Sequence, residues 1–513
     1  MKKNYNVIVV GASLGGIRAA ISCAKMGHSV LLTEEVHWIG GQLTSQAVPP
    51  DEHKWIETTG CTKSYREYRN KVRAYYRNHP YIIDELKTKD YFCPGGSSVS
   101  RLSHPPKLAV ELLMDSLKPY IDKGLITLLV DTKLVSVDST TDQINSCTFE
   151  KDGVLLTYSA DYYLDGTDTG ELIYLSKTEY TIGAESKSET NEPHAKEVAD
   201  RSDNQPVTWV AAVSYHEGEN HVMEKPAMYD YFRSLKMPYD KYDIFSMYGE
   251  DSSTGKAKEF GFWNDEIGEK GEKLFGLFTY RRITNSYHFK DNYEPVDITL
   301  INWPQNDYFM NNIIETEDDE HNRYMAKQLT LSFIYYLQTE VKRKDGGVGY
   351  PGLKLRTDVL GTDDGCAMAP YIRESRRIKA EFTVTEQMIS KESNASPRQF
   401  YDSVGVGSYN IDLHITTKSY DFFYIDTHVF EIPLGSLIPV KMKNLVPACK
   451  NIGTTHLTNG CYRLHPVEWN VGEVAGYLAS FALTNNCSLK DVRNNHLEEF
   501  QNLIINEGVQ IRW

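Results

Sequence analysis

The chain opens on an apolar run, Val7 to Val10, that stops at the small-residue stretch Gly11, Ala12, Ser13, Leu14, Gly15, Gly16. Apolar residues then recur at helical spacing, Ile17, Ala20, Ile21 and Ala24, as far as Gly27 at a C-cap position. A second apolar run, Val30 to Thr33, delivers Glu34. The pattern predicts strand, tight turn, helix, strand and acidic residue, the order of a dinucleotide-binding βαβ unit. Gly11 permits the turn, and amides at the helix start, around Ser13, Leu14 and Gly15, hold a pyrophosphate. Gly16 lets helix and strand approach, and Glu34 accepts hydrogen bonds from ribose hydroxyls. Ser13 stands where the usual pattern has a second glycine, and it is small enough for close phosphate approach. A literal G-x-G-x-x-G at 347–352 follows the polar run Lys342 to Asp345 instead of a strand, and Pro351 spoils a helix start, so it is rejected.

Further along, Tyr65, Tyr68, Tyr75 and Tyr76 fall on a short helix, and a second helix is predicted from about Lys107 to Leu117. Apolar segments at Leu125 to Val130, Leu134 to Val137, Cys147 to Phe149 and Val154 to Tyr158 predict a β-meander. The chain returns from it through Tyr162, Tyr163 and Leu164 to Asp165, Gly166, Thr167. The charged run 186–204 reads as a solvated loop leading out to a second domain. That domain holds a strand-like Val207 to Tyr215 and a long helix opened by Thr316, with Met325, Leu329, Phe333 and Leu337 on one face. Lys443 to Ala448 reads as a last parallel strand. A small-residue helix is predicted to begin after Asn470 with Val471 and Gly472, and Ser488 opens a final surface helix. The fold class expected is α/β, a Rossmann-type parallel sheet with a β-meander plus an inserted α+β substrate domain. The boundaries expected are 1–185 and 401–487 for the two parts of the cofactor domain, 186–400 for the insert, and 488–513 for the C-terminal helix.

Composition narrows the partners. A formal net charge of −15 argues against nucleic acid or anionic membrane as a partner, and no apolar stretch is long enough for a membrane span. Lys2 and Lys3 before an apolar run imitate a signal peptide, but that run is the first strand of the cofactor unit, so the expected location is cytoplasmic. The eight cysteines are scattered without a C-x-x-C pair and read as buried thiols; no metal site is expected.

The Gly40, Gly41, Gln42 segment after Glu34 resembles the Gly-Gly continuation of the fingerprint in two-dinucleotide-binding flavoproteins, which favours FAD over NAD. Together with the N-terminal fingerprint, the Asp165-Gly166-Thr167 turn and 443–476, it makes the chain resemble the FAD-dependent oxidoreductase family, distantly similar to fumarate reductase flavoproteins. The resemblance extends to Tyr280 to Ile283, Asn302 to Pro304, Tyr371 to Arg377 and Asp412 to His414. It implies a glutathione-reductase-like FAD fold, FAD as cofactor and redox chemistry, with cofactor contacts also from Leu134, Arg463, Asn470, Val471 and Gly472. It does not imply a substrate.

Flavin chemistry needs a substrate held over N5 and one proton managed. Histidine suits that role near neutral pH; His104, His414 and His456 are the candidates, with His465 nearby in sequence. Arg373, Arg377 and Glu374 either bind an anionic or polyhydroxylated small molecule or form an ion-pair network joining the domains. His414, Arg373 and Glu374 are expected to meet over the flavin. The function expected is hydride transfer between a small organic substrate and FAD. Non-redox flavin chemistry of a lyase or transfer type, and a protein that keeps FAD structurally, stay open beside it, as does the oligomeric state.

Overall fold

The computed structural model describes residues 4–238, 242–251 and 256–513. Strand β1 (Asn4–Val10) leads through the glycine turn into helix α1 (Leu14–Lys25), strand β2 (Val30–Thr33) and helices α2 (Lys63–Asn78) and α3 (Pro106–Asp122). Strands β3 (Ile126–Leu129), β4 (Lys133–Ser139), β5 (Ile144–Lys151) and β6 (Val154–Asp165) follow. The sheet order is β3-β2-β1-β6-β5-β4. β1 pairs in parallel with both β2 and β6, and β4, β5 and β6 are antiparallel. Alternation along each strand sorts side chains to two faces. Val7, Val9, Val30 and Leu32 face the helices, while Ile8, Val10 and Leu31 face the meander with Leu134, Cys147 and Phe149.

Two sequence expectations change here. The segment 125–130 is not part of the meander: β3 extends the parallel sheet beside β2. The meander's last strand and the returning strand are one twelve-residue strand, β6, whose first half pairs with β5 and second half with β1.

The intervening region carries a core of its own. Strands β7 (Val207–Thr208), β8 (Ala211–Tyr215), β9 (Arg282–Thr284), β10 (Ile298–Ile301) and β11 (Asp307–Tyr308) precede helix α4 (Asp319–Thr339), then β12 (Leu353–Leu355) and β13 (Tyr371–Ile372). They form an antiparallel sheet in the order β9-β10-β8-β12 and a smaller one, β11-β7-β13. α4 lays Met325, Leu329, Phe333 and Leu337 against the core. The run 186–204 is not a plain solvated loop: Glu192 and Asp203 are buried, Glu192 accepting from the Thr455 hydroxyl and the Glu386 amide, Asp203 paired with Lys196.

Strand β14 (Leu445–Pro447) returns in parallel beside β6, followed by helices α5 (His456–Tyr462) and α6 (His465–Asn485). α6 begins at His465 and not after Asn470, because Pro466 occupies the first turn, where a missing N–H costs nothing. α1 and α6 pack unusually close. A Cβ on Gly472 would overlap the Gly15 carbonyl, and one on Gly15 would overlap the Ala448 carbonyl. No helix of the described residues is long and apolar enough to cross a membrane.

Candidate active site

The glycine turn is held in a conformation that excludes side chains. Gly11 has φ +86°, and a Cβ there would sit 2.6 Å from the Gly166 carbonyl carbon; one on Gly16 would overlap the Gly11 carbonyl. The Asp165-Gly166-Thr167 turn is thus packed directly on the Gly11 turn. Its polar groups serve the chain: Asp165 accepts from the Thr167 amide (2.9 Å), the Thr167 hydroxyl (2.6 Å) and the Ile173 amide (2.8 Å). Gly41, φ +52°, lies against Ser13 and Asp168.

The Ser13 hydroxyl accepts from the Gly16 amide at 3.2 Å, and the Gly15 amide donates to Glu468 at 3.2 Å. The helix start is therefore less bare than the sequence suggests. Among the described residues the Ser13 and Leu14 amides have no protein acceptor, which leaves them as the donors aimed at an anion. Glu34 directly follows β2, its carboxyl accepting from the Ala12 amide at 2.8 Å and the Val36 amide at 3.3 Å. Burial pushes this carboxyl up to about 8; the Val36 amide works against that rise, and the Asp168 charge adds to it. The Thr132 amide donates to the Glu34 carbonyl (2.8 Å), so β4, with Leu134 buried near its start, begins beside the same residue.

Three charged residues that the sequence did not single out close this end. Lys450, its side chain 1% exposed, pairs with Asp168 and lies within the field of Glu468; burial opposes its charge, but those carboxylates outweigh it and raise its pKa. Gln42 spans Glu468 and the Arg463 carbonyl. Asn470 and Val471 lie in the second turn of α6, where the Asn470 side-chain Nδ2 donates to the Val404 carbonyl at 3.1 Å; Gly472 meets Gly15.

The second cluster lies where the insert meets this domain, against the segment that follows Gly41: the Ala369 amide donates to the Ser45 carbonyl, and the Ile372 amide to the Gln46 side chain. Residues 373 and 374 point to different histidines. Arg373 is buried and donates to Asp307 at 2.9 Å, and Asp307 accepts from or pairs with His414 Nδ1 at 2.6 Å. Thr208 also bonds Asp307. Burial works to raise the Asp307 carboxyl, but Arg373 and His414 outweigh it and hold it at about 2. Glu374 instead takes His456 Nδ1 at 2.9 Å together with Arg377, which also reaches Glu185 at 2.8 Å. Burial disfavours charge on His456, yet Glu374 outweighs it and raises its pKa.

Of the three residues expected to meet, His414 and Arg373 share Asp307, whereas Glu374 turns to His456. His104 is not brought to either cluster. Its Nδ1 faces the Leu102 carbonyl at 2.6 Å and its Nε2 the Tyr68 hydroxyl at 2.8 Å, and burial lowers its pKa to about 4. His465 is held likewise, between the Asp51 amide and the Val48 carbonyl.

Arg463 links the parts, donating to the Tyr371 hydroxyl at 2.7 Å and to Asp412 at 3.2 Å; Asp412 in turn lies 3.7 Å from His414 Nε2. Tyr409 donates to Asp412 at 3.3 Å, and Arg281 lies over the Tyr280 ring while paired with Asp51 at 3.1 Å. Asp307 and Asp51 have no motif around them, and only the fold pairs them with arginines some 66 and 230 residues away.

A side-chain-free turn packed on a second glycine turn, open amides at a helix start and a carboxyl directly after β2 define a dinucleotide-binding flavoprotein fold, and the residues present fit FAD. The chain belongs to the FAD dependent oxidoreductase family, which it matches over residues 6–504. FAD is accordingly its cofactor, and the family to which it belongs is one of oxidoreductases. It is 40% identical over 60 residues to the FAD-dependent monooxygenase ntnJ of Nectria sp and 40% identical over 55 residues to the FAD-dependent monooxygenase atnJ of Arthrinium sp. These matches span 12% and 11% of this chain, and only 14% and 13% of those relatives. A geranylgeranyl bacteriochlorophyll reductase-like protein from Thermoplasma acidophilum aligns over 99% of this chain and 84% of its own, at 11% identity and a TM-score of 0.33, too slight a likeness to carry argument.

Proposed function

We propose that the protein transfers hydride between a small hydroxylated organic substrate and FAD, with His414 as the proton acceptor. The observation that carries this is exposure: the His414 side chain is 28% exposed and that of His456 5%, while His104 and His465 are buried. FAD supplies the two-electron acceptor, exchanging hydride at N5. Asp307, held ionised by Arg373, fixes the proton on His414 Nδ1 and leaves Nε2 as the accepting atom; the imidazolium that forms is stabilised by the carboxylates at Nδ1 and Nε2. His456 is buried, its Nδ1 is taken by Glu374, and its pKa is shifted toward the charged form, all of which make it the poorer acceptor.

Arg373, Arg377 and Arg463 each have carboxylate partners inside the protein, which favours the network role over capture of an anionic substrate. The half-buried Tyr280 and Tyr409 beside Asp412 suit a neutral, hydroxyl-bearing molecule, whose donors and acceptors they can match. The test is a screen of hydroxylated compounds for anaerobic bleaching of the FAD-loaded chain. Reduction by substrate without oxygen or nicotinamide supports hydride transfer; a chain reduced by NAD(P)H alone, which then consumes oxygen, would place it with the monooxygenases it partly matches. With a bleaching substrate, His414→Ala should slow reduction about a hundred-fold or more with FAD retained. Unaltered reduction there, and loss in His456→Ala, moves the role to His456.

A further inference from the structure

Remote from both clusters, the loop leaving β8 brings together three side chains that no sequence motif marks. His216, Glu219 and His221 each offer one ligand atom, and these atoms lie within 4.8 Å of one another. His221 Nε2 is 2.5 Å from one Glu219 oxygen, and His216 Nδ1 is 3.8 Å from the other. The two imidazoles meet at 63° with centroids 5.2 Å apart, so their nitrogens converge without stacking.

The scaffold behind them is fixed. Ser214 Oγ, fully buried in β8, holds His216 Nε2 at 2.9 Å and leaves Nδ1 toward the cluster, the outer-shell contact that sets a ligand histidine's orientation. The His216 amide donates to the Gly352 carbonyl at 2.8 Å and the His221 amide to the Pro351 carbonyl at 2.7 Å. Buried Gln338 clamps the far side, donating to the His221 carbonyl at 2.8 Å and accepting from the Met223 amide at 3.0 Å. His216 and Glu219 also line a groove of about 920 Å³, shared with Glu217, Glu266 and Trp263.

We propose that His216, Glu219 and His221 bind one divalent transition-metal cation of the zinc class, with the remaining coordination positions open to this groove. Two imidazole nitrogens and one carboxylate are a zinc-type donor set, and three protein ligands leave a tetrahedral ion one position for water or a ligand. The ion would replace the Glu219 to His221 hydrogen bond, and Ser214 would keep its contact.

The FAD-loaded full chain, stripped with a chelator and dialysed, is titrated with Zn²⁺ alone by calorimetry and with Co²⁺ followed by its visible d–d absorption. The expected result is one equivalent per chain at micromolar or tighter affinity, with cobalt bands of mixed nitrogen and oxygen coordination. Glu219→Gln and His221→Gln, which change side chains with solvent exposure, should abolish that equivalent while flavin absorption shows the fold retained. Ser214→Ala should weaken it roughly ten- to a hundred-fold. No stoichiometric binding by the unaltered chain, or the same binding in the Glu219→Gln, His221→Gln double variant, overturns the proposal.

Discussion

Asp307 holds three groups at once, the Arg373 guanidinium, the His414 imidazole and the Thr208 hydroxyl, and Asp307→Asn removes the charge while keeping the shape. Arg373 is 2% exposed, and Asp307 is its carboxylate partner; leaving such a cation unpaired costs about 3–5 kcal/mol. The Asp307 pKa is lowered from 3.8 to about 2, and at 1.36 kcal/mol per pH unit that difference is worth about 2 kcal/mol. Because the folded-state value is the lower one, this contribution is complete above about pH 4 and is lost as pH falls toward 2. The gap between the native chain and Asp307→Asn should therefore be widest at neutral pH and narrow in acid.

The same substitution acts on the proton. The carboxamide introduced by Asp307→Asn would turn its oxygen to the Arg373 and Thr208 donors, so its NH₂ would face His414 Nδ1 and force the proton to Nε2, closing the accepting atom. Urea unfolding of the FAD-loaded protein at neutral and acidic pH reads the first effect, and ¹⁵N histidine spectra read the tautomer without a substrate. A variant within about 1 kcal/mol of the native chain at neutral pH, well short of the unpaired-charge cost, would refute the ion-pair reasoning. A His414 still carrying its proton on Nδ1 would refute the account of its orientation.

Three further outcomes are expected. Above about pH 8, where the Glu34 carboxyl is ionised, Glu34→Gln should lower FAD affinity roughly ten- to a hundred-fold by fluorescence titration, the worth of hydrogen bonds to a charged acceptor. In the native apoprotein, affinity should strengthen as pH rises through about 8, where Glu34 ionises, and that dependence should vanish in the variant. Gly472→Ala, whose Cβ would overlap the Gly15 carbonyl, should cost about 1–3 kcal/mol in urea unfolding, whereas Gly124→Ala, with nothing within 4 Å, should show only the backbone strain of its φ of +71°. Lys450→Gln, which leaves Asp168 and Glu468 without their shared cation, should weaken FAD binding by about ten-fold or more; unchanged affinity would separate this trio from the cofactor.

The parts legible in the sequence are those fixed by neighbours along the chain. β1, the glycine turn, α1 and Glu34 follow from period and punctuation over a short stretch, and the helical stripe of α4 is visible for the same reason. What escapes depends on pairing at a distance. Nothing local distinguishes β3 from a meander strand, because its partner is β2. The Ala160, Asp161 pair hides the continuity of β6, which long-range pairing with β1 enforces. Pro466 is the one local signal that marks the true start of α6. In the candidate site, the histidine and arginine types draw attention, but Asp307, Asp168, Lys450 and Glu468 stand singly in the sequence and acquire partners only in the fold.

The contact between the Gly15 amide and Glu468 spans 453 residues, and this has a consequence for how the protein is made. At roughly 5–20 residues per second of synthesis, about 20 to 90 s separate emergence of the glycine turn from emergence of the helix that packs on it. During that interval α1 lacks the partner that buries Gly15 and Ala19, so the nascent chain carries an apolar, helix-shaped vacancy. The cofactor turn is therefore complete only once α6 has been made, and the βαβ unit that precedes it by so many residues is among the last parts to be finished.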